Sequence, residues 1–259
     1  MHDVVYAATQ PVTAHVPLMT LASLRKSFGP VQALKGVDVL IMPGEVHAIV
    51  GENGAGKSTL IGIAAGVLPA DAGAIYYDGK YVEAPDPRRM REDGVSAVYQ
   101  HPALAPDLTV LENLDIGRQP PRHFPDGRPA PSWTPEKLFA IFPNLGRMTD
   151  RLGAHMSGGE QQMLTVARTL MGNPLLVALD EPSEGVAPVI VEEMAETIIK
   201  LKKQGLSVLL SEQNIHFAEL VSDRAYVLEH GRIIMSGPAA SLANNARVRQ
   251  AYLGSEIAM

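Results

Sequence analysis

The chain has 259 residues, of which 46% are hydrophobic and 5% aromatic. This length suffices for one large domain or two small ones with a buried core, and the composition is typical of a soluble α/β protein rather than a disordered or fibrous one. The 22 Lys and Arg against 28 Asp and Glu give a net charge of −6, which disfavours nucleic acid as a partner because neutralising phosphates requires basic patches. The absence of cysteine excludes disulfides, thiolate nucleophiles and zinc–thiolate sites.

Neither the start of the chain nor its apolar runs predict insertion into a membrane. The first 17 residues contain Asp3 but no Lys or Arg, so they lack the positive segment of a secretory signal and are predicted to be a loose lead-in. No window holds 18 consecutive apolar residues. The uncharged stretch at residues 59–70 is too short to span a bilayer, and it is predicted to be a buried helix.

Strands rich in Val, Ile and Leu alternate with amphipathic helices, which predicts βαβ units and a largely parallel sheet. The predicted parallel strands cover residues 45–50, 175–179 and 207–210, and a crossover helix covers residues 189–203. Runs of β-forming residues that end at Gly79 and Gly231 predict two hairpins, and therefore an antiparallel edge. The prolines crowded into residues 118–135 predict an exposed loop.

Residues 51–58 read GENGAGKS and match the phosphate-binding P-loop pattern. Glycines let successive backbone N–H groups converge on phosphate oxygens, and the following helix adds the positive end of its dipole. Lys57 is expected to reach the β- and γ-phosphates, and the Ser58 hydroxyl to coordinate Mg²⁺. The alternative is a glycine-rich turn without a ligand, but a strand before the motif and a helix after it favour nucleotide binding. The predicted nucleotide-binding residues here are Gly51, Asn53, Gly54, Gly56, Lys57, Ser58 and Thr59.

Two carboxylates follow the apolar strand at residues 175–179. Asp180 lies at the strand's carboxyl end, where ligands bind in open α/β sheets, and is predicted to hold Mg²⁺. Glu181 points elsewhere and is predicted to orient or deprotonate an attacking water. In isolation, two acids capping a strand before Pro182 would be the simpler interpretation, but the upstream P-loop favours the catalytic one.

Residues 156–162 read MSGGEQQ, which resembles the signature motif of ABC-type ATPases, with Met156 in place of the usual leucine. Ser157, Gly158 and Gly159 would form a second anion site at the start of a helix. The pair Ser157 and Glu160 also fits a helix capping box, and the two interpretations are compatible.

Other positions match the same family one by one. Gln100 resembles the Q-loop glutamine, which contacts Mg²⁺ or water and faces the membrane partner. Phe28 falls where an aromatic side chain stacks on adenine, although an aromatic residue that fills a local pocket would look the same. Gln213 occupies the position where most members have a histidine that touches the γ-phosphate. Glutamine still donates a hydrogen bond but carries no titratable charge, so hydrolysis is expected to be slower or more dependent on Glu181.

The resemblance implies an α/β fold, a P-loop NTPase core with a mostly parallel sheet, an antiparallel β subdomain at its edge and an inserted helical subdomain. The core would comprise residues 18–100 and 156–255, and the helical subdomain residues 101–155. The residues around Gln213, the signature and Asp180 are similar to the second ATPase of branched-chain amino acid importers and their urea or amide relatives. Residues 31–38, 43–48 and 51–53, and the stretch through Tyr99 and Gln100, resemble sugar-importer ATPases.

The family resemblance also implies the mechanism and the partners. Two cassettes would pair head to tail, with ATP and Mg²⁺ between one P-loop and the partner's Ser157–Gly159 region. Membrane permease subunits and a separate solute-binding protein would complete an importer, with this chain on the cytoplasmic face of the cell membrane. A sugar-importer ATPase is the first alternative. A non-transport ABC ATPase usually carries zinc modules, long coiled coils or a second cassette. That alternative is disfavoured because the sequence has no cysteine and no heptad runs, and only 57 positions separate Gln100 from Ser157, whereas Gln213 leaves a regulatory ATP-binding module open.

Overall fold

The computed structural model of the chain describes residues 16–99, 104–124, 126–243 and 245. Within these ranges the strands are β1 (Met19–Phe28), β2 (Val31–Ile41), β3 (Val46–Val50), β4 (Ala72–Tyr77), β5 (Lys80–Tyr81), β6 (Val95–Val98), β7 (Leu176–Asp180), β8 (Ser207–Glu212), β9 (Arg224–Glu229) and β10 (Arg232–Pro238). The helices are α1 (Lys57–Ala64), α2 (Pro87–Glu92), α3 (Val110–Gly117), α4 (Pro135–Ile141), α5 (Pro143–Gly146), α6 (Gly158–Leu170), α7 (Pro188–Lys203), α8 (Ile215–Val221) and α9 (Ala239–Ala243). A 3-10 turn covers Gly153–His155. None of the helices in these ranges is both long and apolar enough to cross a membrane.

The larger sheet has the strand order β10-β9-β3-β8-β7-β6. Strands β9, β3, β8, β7 and β6 run parallel, and β10 pairs antiparallel with β9 at the edge. The predicted parallel strands are confirmed as β3, β7 and β8, and the predicted crossover helix as α7. Because parallel strands end at the same edge of a sheet, the segments that follow β3, β7 and β8 meet there.

Helices and strands cover both faces of this sheet, as the continuous apolar strands predict. On β3, Ala48 and Val50 belong to a core shared with α6, α7 and α8, whereas Ile49 between them belongs to a core shared with α1, β1 and β2. The alternation of side chains along the strand divides the two cores. The sheet therefore holds its carboxyl edge rigidly between two packed layers.

The smaller sheet is antiparallel, with the order β2-β1-β4-β5. Its first two strands are not evident from the sequence because β1 does not alternate regularly. Ser23 has a φ of +50°, and the pairing of β1 with β2 shifts register between Leu21 and Leu24. Such bulges displace the apolar residues from a strict period of two.

Both predicted hairpins are confirmed. Asp78 and Gly79 join β4 to β5, and His230 and Gly231 join β9 to β10. All four residues have positive φ angles, of +48°, +70°, +47° and +80° in chain order. Two consecutive left-handed residues are what a two-residue hairpin of type I′ requires.

Two local predictions need correction. The helix expected over residues 59–70 ends at Ala64, because Gly66 adopts a φ of +74° and turns the chain away. The loop expected to be exposed over residues 118–135 is buried near its end: Trp133 is only 5% exposed, and its backbone N–H donates to Asn173 Oδ1 at 2.7 Å. Helices α3, α4 and α5 lie within the proposed helical subdomain, whose boundaries stay a prediction.

Candidate functional site

The P-loop connects β3 to α1 and has the tight shape that its glycines allow. Gly54 and Gly56 have φ angles of +80° and +109°. A Cβ atom at Gly56 would lie 2.5 Å from the carbonyl oxygen of Ala33, so only glycine fits there. The loop therefore owes its shape to a neighbouring strand as well as to its own sequence.

Lys57 is buried beneath this loop, and its ammonium group has three acceptors around it. Its Nζ donates to the carbonyl oxygens of Gly51 at 2.8 Å and Glu52 at 3.0 Å. It also lies 2.9 Å from Glu181 Oε1. Because the two side chains are only 3% and 10% exposed, this is a largely desolvated ion pair. The structure thus brings together the predicted phosphate-binding lysine and the predicted base.

A second carboxylate, Glu184, lies beside Glu181. Burial raises the pKa of Glu181, but hydrogen bonds with Glu184 and Lys57 outweigh it and hold that pKa below its usual value. The hydrogen bond to Glu181, followed by burial, raises the pKa of Glu184 to about 7. Of the two carboxyl groups, Glu184 is therefore the one that takes up a proton first as pH falls, while Glu181 stays ionised to lower pH.

Asp180 and Ser58 are in contact, as the predicted metal site requires. Ser58 Oγ donates to Asp180 Oδ1 at 3.1 Å, and Ser211 Oγ donates to the same carboxylate oxygen at 2.6 Å. A hydroxyl and a carboxylate are hard oxygen ligands, which suit Mg²⁺. No cluster of three His, Cys, Asp or Glu residues capable of holding a metal occurs in the described part of the chain. This donor set fits an ion that takes its remaining ligands from water and substrate phosphates.

Gln213 lies beside the P-loop, and its side chain also hydrogen-bonds to Glu181. Its Nε2 donates to Asn53 Oδ1 at 2.7 Å, so the two predicted site residues are joined directly. Since β8 pairs with β3, the residue that follows β8 lies next to the loop that follows β3. The amide is thus bonded to the P-loop, and the contact of Gln213 with the γ-phosphate stays a prediction.

The P-loop, the end of β1 at Phe28 and the start of β2 border one cavity of about 620 Å³. Predicted site residues that line it are Phe28, Asn53, Gly54, Gly56, Lys57, Ser58, Thr59 and Glu181. Phe28 is 49% exposed, with the Lys26 ammonium 5.6 Å from the centre of its ring. A half-exposed aromatic ring beside a phosphate loop is suited to stacking on a base.

Several other residues that line the cavity are not predicted from the sequence as site residues. Val31, Gln32, Ala33, Lys35, Glu184 and His230 also line the cavity. Four of them belong to β2, which the sequence does not identify as a strand, and His230 belongs to a hairpin far along the chain. Ser211 follows an apolar run like any strand residue, and only the pairing of β8 with β7 reveals its contact with Asp180.

The signature residues lie apart from this cavity. Ser157 caps α6: its Oγ accepts from Glu160 N at 3.3 Å, and its N–H donates to Glu160 Oε2 at 2.7 Å. The predicted capping box is therefore present. None of Ser157, Gly158 and Gly159 lines the cavity of the P-loop. Gln100 lies outside the described residues, and its role stays a prediction.

Comparisons with known proteins agree with this geometry. A family model described as ABC transporter matches residues 34–184. The chain is 41% identical, over 88% of its length and 95% of the relative's, to the high-affinity branched-chain amino acid transport ATP-binding protein BraG of Pseudomonas aeruginosa. It is 35% identical to the ribose import ATP-binding protein RbsA 2 of Streptomyces avermitilis, over 92% of this chain but 47% of that protein.

Among solved structures, the ADP conformation of MJ1267, an ATP-binding cassette of an ABC transporter, matches with a TM-score of 0.77 and 29% identity, over 92% of this chain and 99% of that one. The fold and the P-loop therefore define a P-loop ATPase. Since the family model covers more than half of the sequence and the relatives cover most of it, the chain belongs to the ABC transporter family and is an ABC-type ATPase.

Proposed function

We propose that the chain is the ATP-hydrolysing subunit of an importer for branched-chain amino acids or related amides. The observation that carries the hydrolytic part is the Lys57–Glu181 ion pair beside the Ser58–Asp180 contact. The cargo class is supported by the 41% identity to BraG. A sugar importer is the second candidate, supported by the 35% identity to the ribose relative.

In the proposed mechanism, the adenine ring stacks on Phe28 and the phosphates of ATP lie along the P-loop. The γ-phosphate competes with Glu181 for the Lys57 ammonium, since both bring negative charge to the same donor. The released Glu181 carboxylate then accepts a proton from the attacking water as the water oxygen bonds to the γ-phosphorus and the bond from that phosphorus to the bridging oxygen of ADP breaks, which releases ADP and phosphate. Mg²⁺ held by Ser58 and Asp180 would neutralise charge that develops on the phosphates.

A second cassette is proposed to complete the site. Ser157, Gly158 and Gly159 present a helix N-terminus that is suited to phosphate but lies away from this chain's own P-loop. A Cβ atom at Gly158 would meet no heavy atom of the described residues within 4 Å, so the backbone there is open to a partner. Head-to-tail pairing would place this surface against the γ-phosphate on the partner's P-loop.

A groove of about 650 Å³ is proposed to dock the permease. Tyr99, which precedes Gln100, lines it together with the exposed apolar residues Val67 and Ile116. Arg88 and Arg91 also line it, so the groove fits a segment with apolar and acidic side chains. Docking there would hold the chain to the cytoplasmic face of the membrane and connect the permease to the ATP site. A solute-binding protein would act indirectly, through the permease.

Replacing Glu181 by Gln tests the assignment of the base. The amide keeps the shape of the side chain but cannot accept the proton, so hydrolysis is expected to fall by about 10²-fold or more while ATP binding persists. A Glu196→Gln variant is the matched control, because this exposed glutamate of α7 pairs only with Lys200 in the described structure. Wild-type turnover by Glu181→Gln would contradict the proposed mechanism.

Two further measurements separate the alternatives. Solute-stimulated ATP hydrolysis by the chain reconstituted with its permease and binding protein is expected with branched-chain amino acids, and stimulation only by sugars would favour the second candidate. The rate of ATP hydrolysis by the purified chain, with no other kind of cassette present, distinguishes an active ATPase from a regulatory module. High turnover would exclude the regulatory role that Gln213 leaves open.

A further inference from the structure

Glu212 is a buried carboxylate that the proposed mechanism does not use. It lies at the carboxyl end of β8 and is 1% exposed. Its Oε1 accepts from Ser183 N at 3.1 Å, and its Oε2 accepts from Ser183 Oγ at 2.8 Å and Asn214 N at 3.4 Å. None of the ion pairs within the described ranges includes Glu212. The three groups that donate to its carboxylate belong to the segments that follow β7 and β8, next to the proposed ATP site.

The backbone of Glu212 contacts a further such segment. Its carbonyl oxygen accepts from Gly51 N, the first residue of the P-loop, at 3.1 Å. Gln213, the next residue, donates to Asn53 in the same loop. Glu212 therefore connects the P-loop, the Gln213 loop and the turn of Ser183 at one point.

The turn that Glu212 holds carries Glu181 in an unfavourable backbone conformation. Glu181 has a φ of +50°, a left-handed conformation that is strained for a residue with a Cβ atom. Such a conformation persists only where surrounding contacts fix it. Glu181 N donates to Ser211 Oγ of β8 at 3.1 Å. Two residues after Glu181, the turn contacts β8 again, because Ser183 donates two hydrogen bonds to Glu212.

We infer that Glu212 is a positioning residue for ATP hydrolysis, which holds the Ser183 turn so that Glu181 meets the attacking water. This inference rests on the proposed function, because it assigns Glu212 a role through Glu181. An error of about 1 Å in the position of a catalytic group costs on the order of 10²-fold in rate. Loss of the two Ser183 bonds is therefore expected to lower kcat while the ATP-binding contacts of the P-loop stay in place.

A residue that only stabilised the fold would change the free energy of unfolding without selectively lowering kcat. Burial raises the pKa of Glu212, and the Ser183 and Asn214 donors only partly oppose it, so the carboxylate is costly to ionise. Glu212→Met keeps the length of the side chain but leaves the Ser183 N–H and hydroxyl without their acceptor, which lowers stability as well. Urea denaturation of Glu212→Met therefore shows whether the variant stays folded, and a loss of kcat without a change in KM in the folded protein then reports on positioning.

The experiment compares purified Glu212→Met, Glu212→Gln and Ser183→Ala with the wild-type chain, using MgATP as the probe. We expect Glu212→Met to lower kcat by about 10- to 100-fold, with KM and the Kd for ATP within about twofold of wild type. Glu212→Gln retains an acceptor for Ser183 N and is expected to restore most of kcat. Adding Ser183→Ala to Glu212→Met should have little further effect, since both changes remove the same bond.

Hydrogen exchange supplies a readout that does not depend on activity. The Ser183 amide is expected to exchange faster in Glu212→Met than in wild type, and Glu212→Gln should protect it again. A kcat within twofold of wild type in Glu212→Met, or additive effects of the Glu212 and Ser183 changes, would overturn the inference. Glu181→Gln, run in parallel, separates the two failures: if that variant retains wild-type turnover, the proposed base itself is wrong, whatever Glu212 does.

Discussion

Replacing Gly56 by alanine tests how the neighbouring strand shapes the P-loop. The φ of +109° is a left-handed conformation that costs an alanine about 1–2 kcal/mol. The new Cβ would also lie 2.5 Å from Ala33 O and 3.0 Å from Leu34 Cδ2, and overpacking of this kind costs about 1–3 kcal/mol. Together these effects predict a loss of about 2–5 kcal/mol in the free energy of unfolding.

Gly54→Ala is the matched control for this substitution. Gly54 has a φ of +80°, but a Cβ there would meet no heavy atom of the described residues within 4 Å. Alanine at this position has the same unfavourable backbone conformation but no clash, so a loss of about 1–2 kcal/mol in the free energy of unfolding is expected. Urea denaturation of both variants without nucleotide measures the difference. Equal losses in Gly54→Ala and Gly56→Ala would refute the close approach of Ala33 to the loop.

Three further predictions concern the site. Gly158→Ala should change the free energy of unfolding by no more than about 0.5 kcal/mol, since it meets no described atom, yet abolish turnover if the second cassette binds there; urea denaturation and ATPase assays check both. Ser58→Ala should raise the Mg²⁺ concentration needed for half-maximal hydrolysis, because one of two oxygen donors is lost, whereas an unchanged Mg²⁺ titration would contradict the site. Burial raises the pKa of Glu212 above its ordinary 4.5, so its contribution to stability is fully present below pH 4.5 and is lost as pH rises through the raised value. Glu212→Gln lacks this loss, so wild-type stability should fall relative to that variant as pH rises from 4.5 through the raised pKa, as measured by denaturation at each pH.

The sequence predicts the parts of the site that local rules determine. The P-loop, the strand that ends at Asp180, and the cap at Ser157 each depend on residues a few positions apart, and each lies where its pattern predicts. Gln213 shows the intermediate case. Its position next to the P-loop follows from the sequence, but its bond to Asn53 depends on strand order, which no local pattern specifies.

Contacts between distant segments are what the sequence could not reveal. The carbonyl oxygen of Ala33 would lie 2.5 Å from a Cβ at Gly56 and 2.6 Å from a Cβ at Gly231. Gly231 also donates from its N–H to Ala55 O at 3.0 Å. The P-loop pattern includes Gly56 but gives no reason to connect it with a hairpin at the other end of the chain.

The glycine requirement at Gly56 and Gly231 therefore has one cause, although only the first belongs to a phosphate-binding motif. Both residues allow β2 to approach the nucleotide loop, and β2 also supplies Val31 and Lys35 to the cavity wall. A change in the shape of the P-loop at Gly56 would therefore require β2 to shift as well. On its other side the loop contacts the Glu181 turn, through the Lys57–Glu181 ion pair and through the bond from Gly51 N to the carbonyl oxygen of Glu212. Substitutions in β2, which lines the cavity, should therefore change ATP affinity before they change kcat, whereas substitutions at the end of β8, where Glu212 holds Ser183, should change kcat first.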